Sequence, residues 1–290
     1  MGGVIGIVLV FAMVFGGYTL AGGKMDIILH ALPYELMIIF GAAIGAFLIG
    51  NPGDVAKHTL KDVGKVFKGP KWSSKDVRDL LCLLFELLRV ARQAPVELEE
   101  HIEDPQSSAI FSRYPKIQAD AAAVDLICDT MRSASMNYDD PHQVEEVIEK
   151  QLESKLHHSL HSSHAMQTMA DGLPALGIVA AVLGVVKTMA SIDKPPEILG
   201  QMIGGALVGT FLGVFLAYGF VGPFAAKLKQ IAEAEHQFYT LIREVLVANL
   251  HKHAVDICVE VGRQNAPRDW RPSFAELEEA LSQTRAGVTP

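Results

Sequence analysis

The sequence predicts an all-α polytopic membrane protein: four transmembrane helices with a large helical cytoplasmic domain. Three observations predict it. Four long apolar stretches contain no charged side chain, lysines gather at one end of each pair of stretches, and the remainder carries helix-start signals and few strand signals. Half of the 290 residues are hydrophobic and the mean hydropathy is +0.25, which suits a chain divided between lipid and water.

Residues 1–23, 36–53, 172–186 and 198–226 are free of Asp, Glu, Lys and Arg. A hydrocarbon core is crossed by about 20 apolar residues in a helix. The predicted spans are therefore 3–22, 34–52, 172–192 and 200–223. The first lacks a basic residue ahead of its apolar run and has no clear small-x-small cleavage site, so it is expected to be retained rather than removed as a leader. Lys187, near one end of the third span, can extend its amine to the interface.

Orientation follows from the linkers. Between spans one and two, only Lys24 and Asp26 precede Glu35, and between spans three and four lie Asp193, Lys194 and Glu197. Span two is followed by Lys57, Lys61, Lys65, Lys68, Lys71 and Lys75, and span four by Lys227 and Lys229. Basic residues near membrane ends stay in the cytoplasm. Both termini and the large central loop are thus expected there, with the two short links outside. The domain plan is 1–52 for the first two spans, 53–171 for the loop domain, 172–223 for the last two spans and 224–290 for a cytoplasmic tail.

The cytoplasmic regions read as helix. Ser73 with Asp76, and Ser273 with Glu276, have the spacing in which each residue caps the other's backbone N–H at a helix start. Asp79, Glu86, Arg89 and Arg92 interrupt the apolar run 74–92, which favours a bundle helix over a fifth span. Asp140 followed by Pro141 predicts the start of a long helix running toward span three.

Several functions are disfavoured. The net charge of −8 lies in the cytoplasmic regions, so nucleic acid is an unexpected partner. Cys82, Cys128 and Cys258 all fall in a reducing compartment with no metal-like spacing, and free thiols are expected. His157, His161 and His164 share a helical face beside His158, but no HExxH or further ligand completes a site, so no metal or other cofactor is expected.

The fourth span carries Gly205, Gly209, Gly213 and Ala217 at intervals of four, and the third pairs Gly177 with Ala181 and Ala180 with Gly184. Small residues let helix backbones approach closely. The stripe fits either packing within one subunit or a surface that holds a partner's helix. No Asp or Glu lies at the core of any predicted span, and the hydroxyls of Thr188 and Thr210 cannot hold a proton at neutral pH. A proton path through these helices would need a carrier from another chain.

The stretches "VFGGYTLAGG", "GAAIGAFLIGN", "DGLPALGIVAAVLGVV", "GGALVGTFLGVFLAYGFVGPFA", "SRYPKIQADAAAVDLICDTMR" and "RPSFAELEEAL" closely resemble the MotA family of flagellar motor stator subunits, within the MotA/TolQ/ExbB proton channel family. The likeness runs in order over nearly the whole chain. It implies a homo-oligomeric ring, a pentamer by family resemblance, around a dimer of a single-span, peptidoglycan-anchored MotB-type partner whose membrane aspartate carries the proton. The complex would sit in membrane lipid and turn the rotor through the switch protein FliG. It also implies residue roles. Pro174 and Pro223 match the family's coupling prolines, and Thr210 its channel-facing hydroxyl. Ala181 stands where sodium-type relatives tend to carry a second hydroxyl, which favours H+ over Na+. Arg92 and Glu99 best match the rotor contact. The loop between them looks one residue short, so Arg89, Glu97 or Glu100 could share or replace those roles.

Two other functions stay open. A TolQ- or ExbB-like subunit would drive an envelope protein and usually has three spans. A self-contained channel would conduct ions alone. An intramembrane enzyme is disfavoured because the spans offer no Ser–His, paired Asp or metal-ligand set.

Overall fold

A computed structural model of the chain describes residues 2–135 and 140–285. Among the described residues every regular element is helical, and four helices are long and apolar enough to cross a membrane. The chain divides into two compact units, residues 1–69 with 159–231 and residues 70–158 with 232–290.

The first unit holds the apolar helices: α1 (Gly2–Leu20), α2 (Met25–Gly50), the short α3 (Gly53–Asp62) and α4 (Lys65–Lys68), the C-terminal part of α9 (Pro141–Met189), α10 (Pro196–Leu216), a π-helical segment at Ala217–Val221 and the start of α11 (Gly222–Leu250). Their order in space follows from the glycine contacts. A Cβ on Gly184 would meet Ala206, one on Gly209 would meet Ala180 and Ala181, and one on Gly213 would meet Leu173. Rising numbers on α10 meet falling numbers on α9, so the two helices are antiparallel. Against α2 the trend is the opposite: Gly204 faces Ile27, Gly205 faces Ala31 and Gly209 faces Glu35, so α2 and α10 run parallel. The links after α1 and after α9 therefore share one end of the bundle, as the lysine distribution expects of spans that alternate in direction.

α1 has no buried residue. It is held by its phenylalanines, with Phe11 and Phe15 against Phe215 at ring-centroid distances of 5.7 and 5.5 Å and Phe15 edge-on to Phe211 at 6.0 Å. Such pairs add roughly 0.5–1.5 kcal/mol each beyond the area they bury.

One predicted feature takes a different form here. The second span begins near residue 25 rather than 34, because the helix passes through Pro33 without a break. Proline is tolerated in membrane helices when neighbouring groups satisfy the freed carbonyl. Pro174 lies inside the unbroken 49-residue α9, the long helix expected to run from Pro141 toward the third span.

The second unit is built on α5 (Ser74–Gln93), whose residues 80–88 are all buried. Around it pack α6 (Pro95–Glu103), α7 (Pro115–Gln118), α8 (Ala121–Ser135), α12 (Val255–Asn265) and α13 (Phe274–Arg285). The apolar run 74–92 is thus the core of a helical bundle, as its charges suggested. Ser73 and Asp76 cap α5 as expected, the Ser73 backbone N–H donating to the Asp76 carboxylate at 2.8 Å. Ser273 and Glu276 form the reciprocal pair before α13 at 2.7 and 3.2 Å. The buried Glu86 is held by Arg113 and by the Tyr114 hydroxyl, which donates to it at 3.0 Å. All three cysteines are free and buried, and burial pushes the Cys82 thiol up to about 11, away from the thiolate that reacts.

Candidate functional site

The small-residue stripe of α10 makes the tightest contact in the membrane-type unit. A Cβ on Gly213 would lie 2.6 Å from the Leu173 carbonyl oxygen and 2.8 Å from the Gly177 Cα, and one on Gly177 would lie 2.8 Å from the Gly209 carbonyl oxygen. These are backbone-to-backbone approaches that only glycine permits. A Cβ on Gly184 would meet the Ala206 methyl at 2.6 Å and its Cα at 2.9 Å. Gly205 has more room, 3.8 Å from Ala31. All five glycines singled out in the sequence therefore lie against helices of their own chain.

Three of the four predicted ion-path residues, Pro174, Ala181 and Thr210, lie at this crossing. Thr210 follows Gly209 and is half-buried, and the Ala181 backbone nitrogen would meet a Cβ on Gly209 at 3.1 Å. Pro174 follows Leu173, the residue whose carbonyl touches Gly213. Pro223 comes just after the π-helical segment, where the Gly222 N–H donates to the Ala217 carbonyl, one residue further back than in an α-helix. A π-helical turn loosens the helix locally and is frequent at functional sites.

One group escaped the sequence reasoning. Glu35 is only 7 % exposed, and its Oε2 has no hydrogen-bond partner among the described residues. With α2 starting at Met25, Glu35 lies about 15 Å along the helix at 1.5 Å per residue. Glu35 stands at the edge of the predicted second span, 34–52, whereas in the longer α2 it lies well inside the helix and is buried. Glu35 falls on the buried face with Ile39 and Ala43, at intervals of four. That spacing was the available signal, and Pro33 obscured it by suggesting a helix boundary. The carboxylate faces Gly209 and lines a cavity of about 600 Å³ at the linker end of the bundle, with Lys24, Asp26, His30, Lys187, Thr188 and Gln201 among its other walls.

The proposed rotor residues lie in the second unit. Arg92, at the end of α5, donates through Nη2 to the Asn249 side chain at 3.0 Å and to the His253 carbonyl. Glu97, Glu99 and Glu100 are exposed on α6 and make no ion pair among the described residues, while Arg89 is half-buried. A guanidinium beside the final carbonyls of α11 is favourably placed, because the C-terminal end of a helix carries partial negative charge. The four histidines 157, 158, 161 and 164 lie on α9. Among the described residues, the ligand atoms close enough to share a metal belong instead to His142, Glu145 and His251, and the Glu145 carboxylate is already held by Arg243 at 2.9 Å.

Comparison with known proteins gives matches along most of the chain. Residues 4–95 match the family described as Motility protein A N-terminal, and residues 119–240 match the MotA/TolQ/ExbB proton channel family. The chain is 40 % identical to motility protein A of Salmonella typhimurium over 97 % of this chain and 95 % of that one. It is 34 % identical to the chemotaxis protein LafT of Vibrio parahaemolyticus over 96 % and 98 % of the two chains. Its fold matches that of the flagellar MotAB stator complex from Bacillus subtilis with a TM-score of 0.73, covering 95 % of this chain and all of that one at 23 % identity.

Proposed function

We propose, from the premise that the chain belongs to the motility protein A family of flagellar motor stator subunits, that it couples inward proton flow to rotor torque together with a MotB-type partner. The observation that carries this is the 40 % identity over 97 % of the chain. The chain would sit as a multi-pass protein in the bacterial inner membrane with both termini in the cytoplasm. Copies would form a ring, five by family resemblance, around the partner's single spans. Thr210 would line the path with a hydroxyl, and the partner's carboxylate would carry H+ across the middle of the membrane. No chemical transformation is assigned to the chain.

The test is reconstitution. Liposomes holding the chain with its partner are expected to acidify under an imposed proton gradient. Liposomes holding the chain alone are expected to leak protons no faster than empty ones. Strong flux through the lone chain would favour a self-contained channel.

Torque would pass through α6 and the end of α5. If Arg92 and Glu99 meet charges on FliG, reversing either sign impairs swimming more than truncation to Ala, because like charges repel whereas a lost exposed pair forfeits only about 0–1 kcal/mol. A complementary reversal on the rotor protein is expected to restore part of the motion. Arg92→Glu also repels the Asn249 and His253 oxygens within its own unit, so Glu99→Lys is the cleaner variant. Equal swimming of Glu97→Lys, Glu99→Lys, Glu100→Lys and the parent would remove α6 from the rotor contact.

A further inference from the structure

We propose that Glu35 is a second protonatable site on the ion route, an acceptor that takes protons from the outward-facing cavity before they reach the partner. The inference rests on the stator reading and adds a residue to it. Three observations carry it: the carboxylate is 7 % exposed, its Oε2 has no hydrogen-bond partner among the described residues, and it lines a cavity of about 600 Å³.

Burial of an ionised carboxylate without a partner is costly, and such groups are neutralised by a proton, a cation or ordered water. At membrane depth they are rare and mark ion pathways by default. The surroundings of Glu35 suit exchange rather than a permanent ion pair. From α9, Lys187 faces the cavity; from the turn before α2, Lys24 does; on α2 itself Asp26 and His30 lie toward the linker end; α10 contributes Gln201 and no charged side chain. Among the described residues no ion pair joins either amine to Glu35, and its Oε2 accepts no hydrogen bond. On its far side the carboxylate faces Gly209, next to Thr210.

The step balances simply. A proton arriving on cavity water adds to the carboxylate and gives the neutral acid. It then leaves to the partner's carboxylate, and Glu35 returns to the anion. Glu35 cannot deliver protons across the membrane alone, since residues 36–53, 172–186 and 198–226 hold no further carboxylate. That is consistent with an inert lone chain.

The experiment uses the full complex in cells lacking their own stator. Parent, Glu35→Gln and Glu35→Asp are compared for proton flux and swimming speed across external pH, with external Na+ varied at fixed pH. Glu35→Gln is expected to need about tenfold more external protons for half-maximal speed, one unit on the pH scale. Glu35→Asp should fall between Glu35→Gln and the parent, and Na+ should have no effect. In parallel, the purified parent complex is treated with dicyclohexylcarbodiimide, which adds to protonated carboxyl groups in apolar surroundings, and the adduct is mapped by mass spectrometry. Glu35 is expected to be modified, and faster at lower pH. That second readout stands even if Glu35→Gln fails to insert. The proposal is overturned if Glu35→Gln matches the parent at every pH, if Glu35 stays unmodified while the partner's carboxylate reacts, or if speed follows Na+ rather than H+. If the parent complex itself neither conducts nor swims, the stator reading fails instead.

Discussion

Gly213→Ala and Gly177→Ala will each sharply lower the amount of protein that accumulates in the membrane, and what remains will unfold at a lower temperature in detergent. A methyl group on Gly213 would stand 2.6 Å from the Leu173 carbonyl oxygen and 2.8 Å from the Gly177 Cα. Neither neighbour is the end of a flexible side chain. Relief requires α9 and α10 to separate, and separation loosens every contact from Leu173 to Ala206. Forcing extra carbon into a packed core costs roughly 1–3 kcal/mol and sometimes more. Between membrane helices the loss is not recovered elsewhere, because close packing rather than water exclusion holds them together. Gly200→Ala is the matched control. It lies on the same helix with nothing within 4 Å of the added carbon, so it should be neutral or slightly stabilising. Quantitative immunoblots of membrane fractions and thermal scans of the solubilised protein read both effects. Parent-like levels and stability for Gly213→Ala would mean that the helices cross further apart than described.

Pro174→Ala and Pro223→Ala should do the reverse: the helices gain stability while swimming is lost or severely reduced. Inside a helix, proline removes one hydrogen bond and its ring clashes with the preceding turn, at a cost of about 3 kcal/mol. Alanine at residue 174 would restore the bond to the Ala170 carbonyl in the middle of α9. At residue 223 it would favour regular α-helix over the π-helical segment at Ala217–Val221. Weakened points of this kind persist where movement needs them, and repairing them commonly trades activity for stability. Their placement supports such a role. Pro174 follows the residue that packs on Gly213, and Pro223 lies ten residues beyond Gly213, in α11 just past the π-helical segment that continues α10, so a shift at the crossing meets a pliable point on either side. Swimming in soft agar and detergent thermal stability are measured on the same strains. Normal swimming by both variants would leave the prolines without a coupling role.

Four membrane helices, the bundle helix at 74–92, the capping pairs at residues 73 and 273 and the family were all legible in the sequence. Each depends on local composition or on spacing along a single helix. A run without charges must find an apolar medium, and a serine followed three residues later by a carboxylate can satisfy the backbone of one helix end without help from any other element. The stripe of glycines was visible too, but its partner was not, because spacing says only that something can approach closely. Tertiary structure decided that Gly177, Gly184, Gly209 and Gly213 join α9 to α10 within the chain. It also decided the two proline questions. A proline lowers helix stability locally, and neighbouring helices determine whether the helix nevertheless continues, as α2 does through Pro33 and α9 through Pro174. Glu35 shows most clearly what one dimension leaves out. As a letter it stands beside a proline at the margin of an apolar run. Once α2 is continuous and packed on α10, the same carboxylate is buried against Gly209 at the edge of a cavity, where its charge state must answer to its surroundings.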